Sequence, residues 1–325
     1  MEAFIKAVAY YLPENEFSNQ ELAELFPEWA ADKIAAKIGV RTRHIAAEDE
    51  YASDLAIAAA QRLFNENGIP PATIDFVLYC TQSPDYFLPS TSCVLQHKLG
   101  IPVTAGALDF NLGCSGYVYG LALAKGLIAA GIARNILLLT AETYSKFIHP
   151  EDKGNRTIFG DGASATVVST NGFAKIGEFV LGTDGSGADN LIVRNGALKH
   201  PSKITGELDN YLFMDGPEIF SFSSKEVPLL VKATLDKHGL VPENIDQYLF
   251  HQANLFMLTH LRKKIGIPAE KFYTHMAETG NTVSATIPIA IREAIKETSP
   301  QKAQKWLLAG FGVGYSWGAT ILTFN

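Results

Sequence analysis

Gly68-Ile-Pro-Pro-Ala-Thr-Ile74-Asp75-Phe-Val-Leu-Tyr-Cys80 is answered later in the chain by Gly239-Leu-Val-Pro-Glu-Asn-Ile245-Asp246-Gln-Tyr-Leu-Phe-His251. Each stretch leads into a helical pattern that ends on Gly-Ile-Pro, at Gly100-Ile101-Pro102 and at Gly266-Ile267-Pro268. The offset from Ile74 to Ile245 equals that from Cys80 to His251, and it is close to half of the 325-residue chain. The next element recurs at nearly the same offset: Asn111-Leu-Gly-Cys114 is matched by Asn281 in Glu278-Thr-Gly-Asn281. An ordered set of echoes at half length means two copies of one unit. Two such copies packed about a pseudo-twofold axis bring equivalent points together at their interface, where ligand sites prefer to form.

The unit is α/β. Ile74–Tyr79, Asn135–Thr140, Ala165–Ser169 and Lys305–Ala309 are short apolar runs between turn residues, which suits strands buried on both faces. Helical patterns lie between them, at Ser53–Asn65, Ser90–Leu99, Val227–His238 and Asn254–Ile265. Alternation of this kind predicts parallel sheet with helices on its faces. The copies divide the chain into residues 1–170 and 171–325. Gly182 to Asn210 is the one long stretch without a clear period and reads as a loop region.

Composition narrows the function. Lys and Arg number 27 against 34 Asp and Glu, a balance of −7 without the basic footprint of a nucleic-acid binder. An apolar fraction of 47% with 19% charged residues is that of a packed domain, so disorder is excluded. Three cysteines, Cys80, Cys93 and Cys114, are too few for a disulfide framework and read as thiols in a reducing compartment. The opening MEAFIKAVAYYLPENEF lacks an export signal, and the longest apolar stretch, Leu121 to Thr140, is broken by Lys125, Arg134 and Asn135. These features predict a cytoplasmic protein without a membrane span.

The equivalent points carry the reactive side chains. Cys114 sits between an apolar run and the helical Tyr117–Ala130, beside helix N–H groups whose partial positive charge favours a thiolate. His251 ends a buried strand, and Asn281 sits in a Gly-containing turn. Together they offer a nucleophile, an imidazole that handles a proton or binds an oxyanion, and a fixed amide donor. The turn Gly310-Phe-Gly-Val-Gly314 can bring backbone N–H groups close to a reacting carbonyl. Plainer readings stand beside these. A lone Cys is most often a small core residue, as Cys80 and Cys93 are taken to be. A lone His is often a cap or a satisfied core group, and Asn281 could serve only as a left-handed turn residue. Gly160-Asp-Gly-Ala-Ser-Ala165 has the spacing of a dinucleotide loop but lacks its strand-to-helix context. No phosphate loop, H-E-x-x-H or paired C-x-x-C is present, so nothing supports a metal site.

Several of these segments resemble the motifs of the β-ketoacyl-acyl-carrier-protein synthase III family. They are His251-Gln-Ala-Asn254, Glu278-Thr-Gly-Asn-Thr282, Gly310-Phe-Gly-Val-Gly-Tyr-Ser-Trp-Gly318 and Phe159-Gly-Asp-Gly-Ala163. Asn111-Leu-Gly-Cys-Ser-Gly-Tyr-Val-Tyr-Gly120 is similar to the family's nucleophile segment, and Gly39-Val-Arg-Thr-Arg-His-Ile-Ala46 to its N-terminal signature. The resemblance implies the thiolase fold, two βαβαβαββ halves in five αβαβα layers, and a homodimer. It further implies that Cys114 takes an acyl group from a thioester. His251 and Asn281 then donate hydrogen bonds to a malonyl-carrier thioester as it loses carbon dioxide. The enolate attacks the acyl-cysteine, and the backbone N–H groups of Cys114 and Val313 hold the oxyanion. The partners implied are an acyl carrier protein and acyl thioesters, with no metal or redox cofactor. A thiolase would need a second Cys near the C-terminus, and the last one here is Cys114. The match places no catalytic Glu such as hydroxymethylglutaryl synthases need.

Five positions depart from the family pattern. Lys33 stands where members that use acyl-CoA commonly stack the adenine on Trp, and Lys37 and Lys153 stand where Arg is usual. Phe256, two residues after Asn254, replaces an Arg that docks the carrier, and Leu88 replaces a Phe that limits the primer pocket from the partner subunit. Lys37, Lys153, Asn254, Phe256 and Leu88 are thus the expected substrate-binding positions. Two other functions remain open on the sequence: an acyltransferase that forms an ester or amide without decarboxylation, and a binding subunit without activity.

Overall fold

The two echoed stretches fold alike in the computed structural model, which describes residues 1–198 and 207–325. Pro71–Thr73 and Pro242–Asn244 each make a single 3-10 turn with proline leading, where its missing N–H costs nothing. Ile74 and Ile245 then plug the core. The aspartates that follow each hold a neighbouring strand. Asp75 accepts from the N–H groups of Arg134 and Asn135 at 2.8 and 2.9 Å, and Asp246 from that of Lys305 at 2.7 Å. The Ile-Asp pair thus recurs because each copy needs one apolar plug and one carboxylate that accepts the first N–H of the adjacent strand.

The sheets repeat the same order outward from the middle of the molecule. In the first half, Phe4–Tyr11 is followed by Gly162–Ser169, Asn135–Glu142, Phe76–Cys80 and Gly106–Phe110. In the second, Ala174–Thr183 is followed by Ser316–Phe324, Lys305–Gly312, Gln247–Phe250 and Phe272–Tyr273. The outer three strands of each half run parallel and the inner two antiparallel. The halves join where Phe4 and Ile5 pair with Lys175 and Ala174.

Side-chain alternation along these strands makes the layers. Val77, Tyr79, Leu137 and Leu139 face outward onto the helix Ala52–Asn67, while Leu78, Ile136 and Leu138 face inward onto the helix Gly116–Ala129. The second half mirrors this. Tyr248, Phe250 and Leu307 face the helix Gly216–His238, whereas Leu249, Trp306 and Leu308 face the helix Thr286–Thr298. Helices 116–129 and 286–298 share one core between the sheets, giving five αβαβα layers. Strands covered on both faces carry continuous apolar runs, as the sequence shows.

Three local expectations change. Helix Gly216–His238 begins well before Val227, because Asp215 caps it and Pro217 opens it, while Pro228 within it masks its continuity in the sequence. Gly310 to Gly312 belong to a strand rather than a turn, and only Val313–Tyr315 turn the chain. The stretch Gly182–Asn210 is partly ordered: Thr183 ends a strand, Gly185–Asn190 is 3-10 helix, and Leu191–Val193 pairs with Leu212–Met214. Residues 199–206 of that expected loop lie outside the described residues.

Candidate active site

Cys114 stands between strand Gly106–Phe110 and helix Gly116–Ala129, at the end of the first half that meets the second. Glycines permit this contact. A Cβ on Gly310 would lie 2.8 Å from the Cys114 carbonyl oxygen, and one on Gly312 would lie 3.0 Å from Cys114 Sγ. Gly116 is equally constrained, since its Cβ would fall 2.3 Å from Cys80 Sγ. The equivalent point of the second half supplies His251, whose N–H bonds to the Ala309 carbonyl at 2.8 Å and extends the ladder by one residue. Asn281 follows the short strand Phe272–Tyr273 and bridges to Phe159.

The turn that holds Asn281 is anchored from far away in sequence. The N–H groups of Arg41 and Thr42 donate to the Ala277 carbonyl at 2.7 and 3.1 Å, and Arg41 pairs with Glu278. Arg43 is fully buried and donates to Asn19, Phe17 and Thr157. Burial pulls its guanidinium down to about 10. The left-handed residue of the turn is Gly280, with φ of 65°, and not Asn281. The Val283 N–H donates to Asn281 Oδ1 at 2.9 Å, which leaves the amide N–H₂ as the free end of the side chain apart from a long 3.4 Å contact to the Ala253 carbonyl.

Cys114, His251 and Asn281 line one cavity of about 130 Å³, together with Asn254 and apolar walls from Phe159, Leu191, Met214 and Ile219. Asn254 also caps the helix Leu255–Ile265, accepting from the Met257 N–H at 2.9 Å. A larger and more open cavity of about 630 Å³ shares Phe159 but contains none of the three reactive residues, so the smaller one is the candidate site. The other expected residues are spread. Lys37 and Phe256 line a third cavity of about 430 Å³ with Lys263 and His260. Lys153 pairs with Glu28 over the Phe26 ring, and Leu88 is 82% exposed; neither lines these cavities. Val313 packs beside Gly113 in the turn after Gly312.

Electrostatics correct one expectation. Burial pushes the Cys114 thiol up from 9.0 to about 12, and the Glu142 carboxylate adds to the rise. A helix N-terminus is worth up to about 2 kcal/mol, which lowers a pKa by about 1.5. Burial therefore outweighs it, and Cys114 rests as a thiol. Burial also pulls His251 down to about 3, so its ring is neutral. Glu142 lies fully buried nearby, accepting from the Gln82 N–H and the hydroxyls of Ser83 and Ser284 at 3.0 Å each. Burial raises its carboxyl to about 8 against those three donors.

Sequence reasoning missed the cavity walls and Glu142. Leu191, Met214 and Ile219 lie in or next to the stretch without a period, and Glu142 is the last residue of the apolar strand Asn135–Glu142, where a lone carboxylate is the available signal.

Models of 3-oxoacyl-[acyl-carrier-protein (ACP)] synthase III match residues 108–185, and the C-terminal part of that synthase matches residues 235–324. Beta-ketoacyl-[acyl-carrier-protein] synthase III of Clostridium perfringens (strain ATCC 13124) is 40% identical over 314 residues, 96% of either chain. The chain belongs to the 3-oxoacyl-[acyl-carrier-protein] synthase III family. Its synthase III relative from Lactococcus lactis subsp. lactis is 36% identical and covers 98% of both chains. A 2.1 Å crystal structure of a 3-oxoacyl-(acyl-carrier-protein) synthase III superposes with a TM-score of 0.95 at 49% identity over 100% of each chain. The priming β-ketosynthase of the R1128 polyketide pathway gives 0.89 at 28% identity, over 99% of this chain and 96% of that one. The thiolase fold is thus the fold of this synthase III family member, and the protein is an acyl-transferring condensing enzyme. These synthase III relatives give no support to an ester- or amide-forming acyltransferase.

Proposed function

We propose that this synthase III family member condenses an acyl group held on Cys114 with a malonyl-carrier thioester, in fatty-acid or related polyketide synthesis. The observation that carries the residue assignment is the convergence of Cys114, His251 and Asn281 from two halves of the chain onto one apolar cavity. The halves are taken as residues 1–170 and 171–325, with the nucleophile in the first and the hydrogen-bonding pair in the second.

In the first half-reaction the Cys114 sulfur attacks an acyl thioester. As the carbon–sulfur bond forms, its proton passes by way of His251 to the departing thiolate, and the backbone N–H groups of Cys114 and Val313 hold the oxyanion. In the second, the bond to the malonyl carboxylate breaks and carbon dioxide leaves. The electron pair passes into an enolate whose oxygen accepts hydrogen bonds from His251 and Asn281. The enolate carbon attacks the acyl-Cys114 carbonyl, the carbon–sulfur bond breaks, a 3-oxoacyl thioester departs, and the Cys114 thiolate that leaves takes a proton from water to return to its thiol. A cavity with mostly apolar walls strengthens each of these hydrogen bonds relative to water. These steps draw on the chain's own groups, its two thioesters and one proton from water.

Substrate delivery follows from the outer residues. Lys37 and Lys263, beside Phe256 in the third cavity, supply positive charge for phosphate or for an acidic carrier protein, whereas Lys153 is paired with Glu28 outside it. Helix Leu255–Ile265 links that cavity to the inner one through Asn254 and Met257. Tyr86, Phe87 and Leu88 are large, apolar and exposed at 61, 74 and 82%. A homodimer would cover them and bring Leu88 to the partner's primer pocket. Three unpaired cysteines fit a cytoplasmic enzyme, and among the described residues no helix is long and apolar enough to cross a membrane.

The test is intact-mass spectrometry after incubation with a panel of acyl thioesters. The wild type, Cys80→Ala and Cys93→Ala should gain one acyl mass, and Cys114→Ala should gain none. An acyl group bound covalently to Cys114→Ala would reject the nucleophile assignment.

A further inference from the structure

The two half-reactions ask opposite things of His251. Acylation needs a bare ring nitrogen that takes the thiol proton, and decarboxylation needs a ring N–H that donates to the enolate oxygen. A neutral imidazole has one of each, and the bond made by the far nitrogen decides which is which. In this chain Nδ1 of His251 lies 2.8 Å from the hydroxyl of Thr286, a residue only 3% exposed at the start of helix Thr286–Thr298. That hydroxyl lies 3.1 Å from the Val283 carbonyl.

Two arrangements of donors and acceptors satisfy these contacts, and the first keeps both bonds of the hydroxyl. A carbonyl only accepts, so the Thr286 proton points to Val283. The hydroxyl then meets Nδ1 with a lone pair, so Nδ1 carries the hydrogen and Nε2 is bare. A hydroxyl can also rotate. Turned toward the ring, Thr286 donates to Nδ1 and gives up its 3.1 Å bond to Val283, and the ring proton is then carried on Nε2. The same turn sets Asn281, because the Val283 N–H occupies Asn281 Oδ1 and leaves the amide to donate. Val283 holds φ at 53°, in the left-handed region that β-branched residues avoid. A threonine bonded back to a carbonyl three residues earlier is common at helix starts. Here it also touches the buried His251, just past the end of strand Gln247–Phe250, which that local role does not require.

We propose that Thr286 is a positioning residue that sets which nitrogen of His251 is protonated, holding Nε2 bare for acylation and, by turning its hydroxyl, presenting Nε2–H for decarboxylation. The proposal rests on the roles given to His251 above. Proton balance is kept throughout: acylation moves one proton from Cys114 to the departing thiol by way of Nε2, and in the tautomer change Nε2 gains one proton from water as Nδ1 releases one to water, without net gain.

The experiment is ¹⁵N NMR of the enzyme labelled at histidine, with the His251 signals identified by their loss in His251→Ala. Free wild-type enzyme and Thr286→Ser should show a protonated Nδ1 and a bare Nε2. Thr286→Val, which keeps the shape and loses the hydroxyl, should lose that tautomer and slow both half-reactions about a hundredfold, the scale of general acid–base assistance. Thr286→Ser should restore both rates. A wild-type enzyme with the proton on Nε2 would overturn the proposal, whether or not the valine variant folds. So would a Thr286→Val enzyme that is slow but keeps the wild-type tautomer, which is what a merely structural threonine gives. If His251→Ala retained both half-reactions, the role of His251 itself would fail, and the wild-type tautomer would still judge Thr286 separately.

Discussion

Alkylation of Cys114 by iodoacetamide reads the competition between burial and the helix terminus directly. The burial rise from 9.0 to about 12, reduced by at most about 1.5 by the helix N-terminus, leaves the thiol raised by about 1.5 to 3. At pH 7 its thiolate fraction is then about 30- to 1,000-fold below that of the unfolded chain. A more basic thiolate is a better nucleophile, and a Brønsted slope near 0.45 returns about 5- to 20-fold. The folded protein should therefore alkylate at Cys114 about 6- to 50-fold more slowly than the urea-unfolded chain at the same pH. The sign follows from the direction of the shift. A raised thiol pKa keeps the proton on through neutral pH, so the rate should climb about tenfold per pH unit from 6 to 9 without levelling. Peptide mass spectrometry separates Cys114 from the exposed Cys93. Steric shielding alone would slow the reaction without changing where its pH profile levels off. A plateau below pH 8, or faster alkylation in the folded state, would refute the reasoning and show that a thiolate is preformed.

The remaining predictions concern the half-reactions and the substrate. His251→Ala and Asn281→Ala should lose decarboxylation by about 100- to 1,000-fold, the cost of an oxyanion donor. Release of labelled carbon dioxide from a malonyl thioester at the wild-type rate would remove the role of either residue. Leu88→Phe should shift acylation toward shorter acyl thioesters, measured as relative rates across a chain-length series, and unchanged preference would discard Leu88 as a pocket wall. Lys33 gives no stacking surface for adenine, a loss of about 1–3 kcal/mol by analogy with base stacking. Cys114 should therefore acylate faster from a carrier protein than from CoA carrying the same acyl group, and the reverse order at matched concentration would mean another residue supports the adenine.

What the chain says locally and what it says only when folded divide along a physical line. Ile74-Asp75 and Ile245-Asp246 are legible because each performs a job confined to one strand and its neighbour, and the job is done twice. Cys114 and Asn281 are legible because each follows a glycine in a turn, and His251 because it ends an apolar run, and the family resemblance covers all three. Other features come from sums over distant neighbours. The walls Leu191, Met214 and Ile219 look like ordinary apolar residues until a hairpin and a helix start bring them to the cysteine. Gly310 and Gly312 read as a turn, yet they lie in a strand where close approach to Cys114 excludes any side chain. The sequence shows Cys114 beside a helix start and so predicts a thiolate, but burial is set by the second half of the chain and reverses the sign. The link from Thr286 to His251 likewise joins residues that no local pattern connects. Strands and helices with a clear apolar period depend on nearest neighbours along the chain, and the sequence alone determines those. Desolvation, cavity shape and the protonation of a buried ring depend on neighbours in space, so only the tertiary structure decides those.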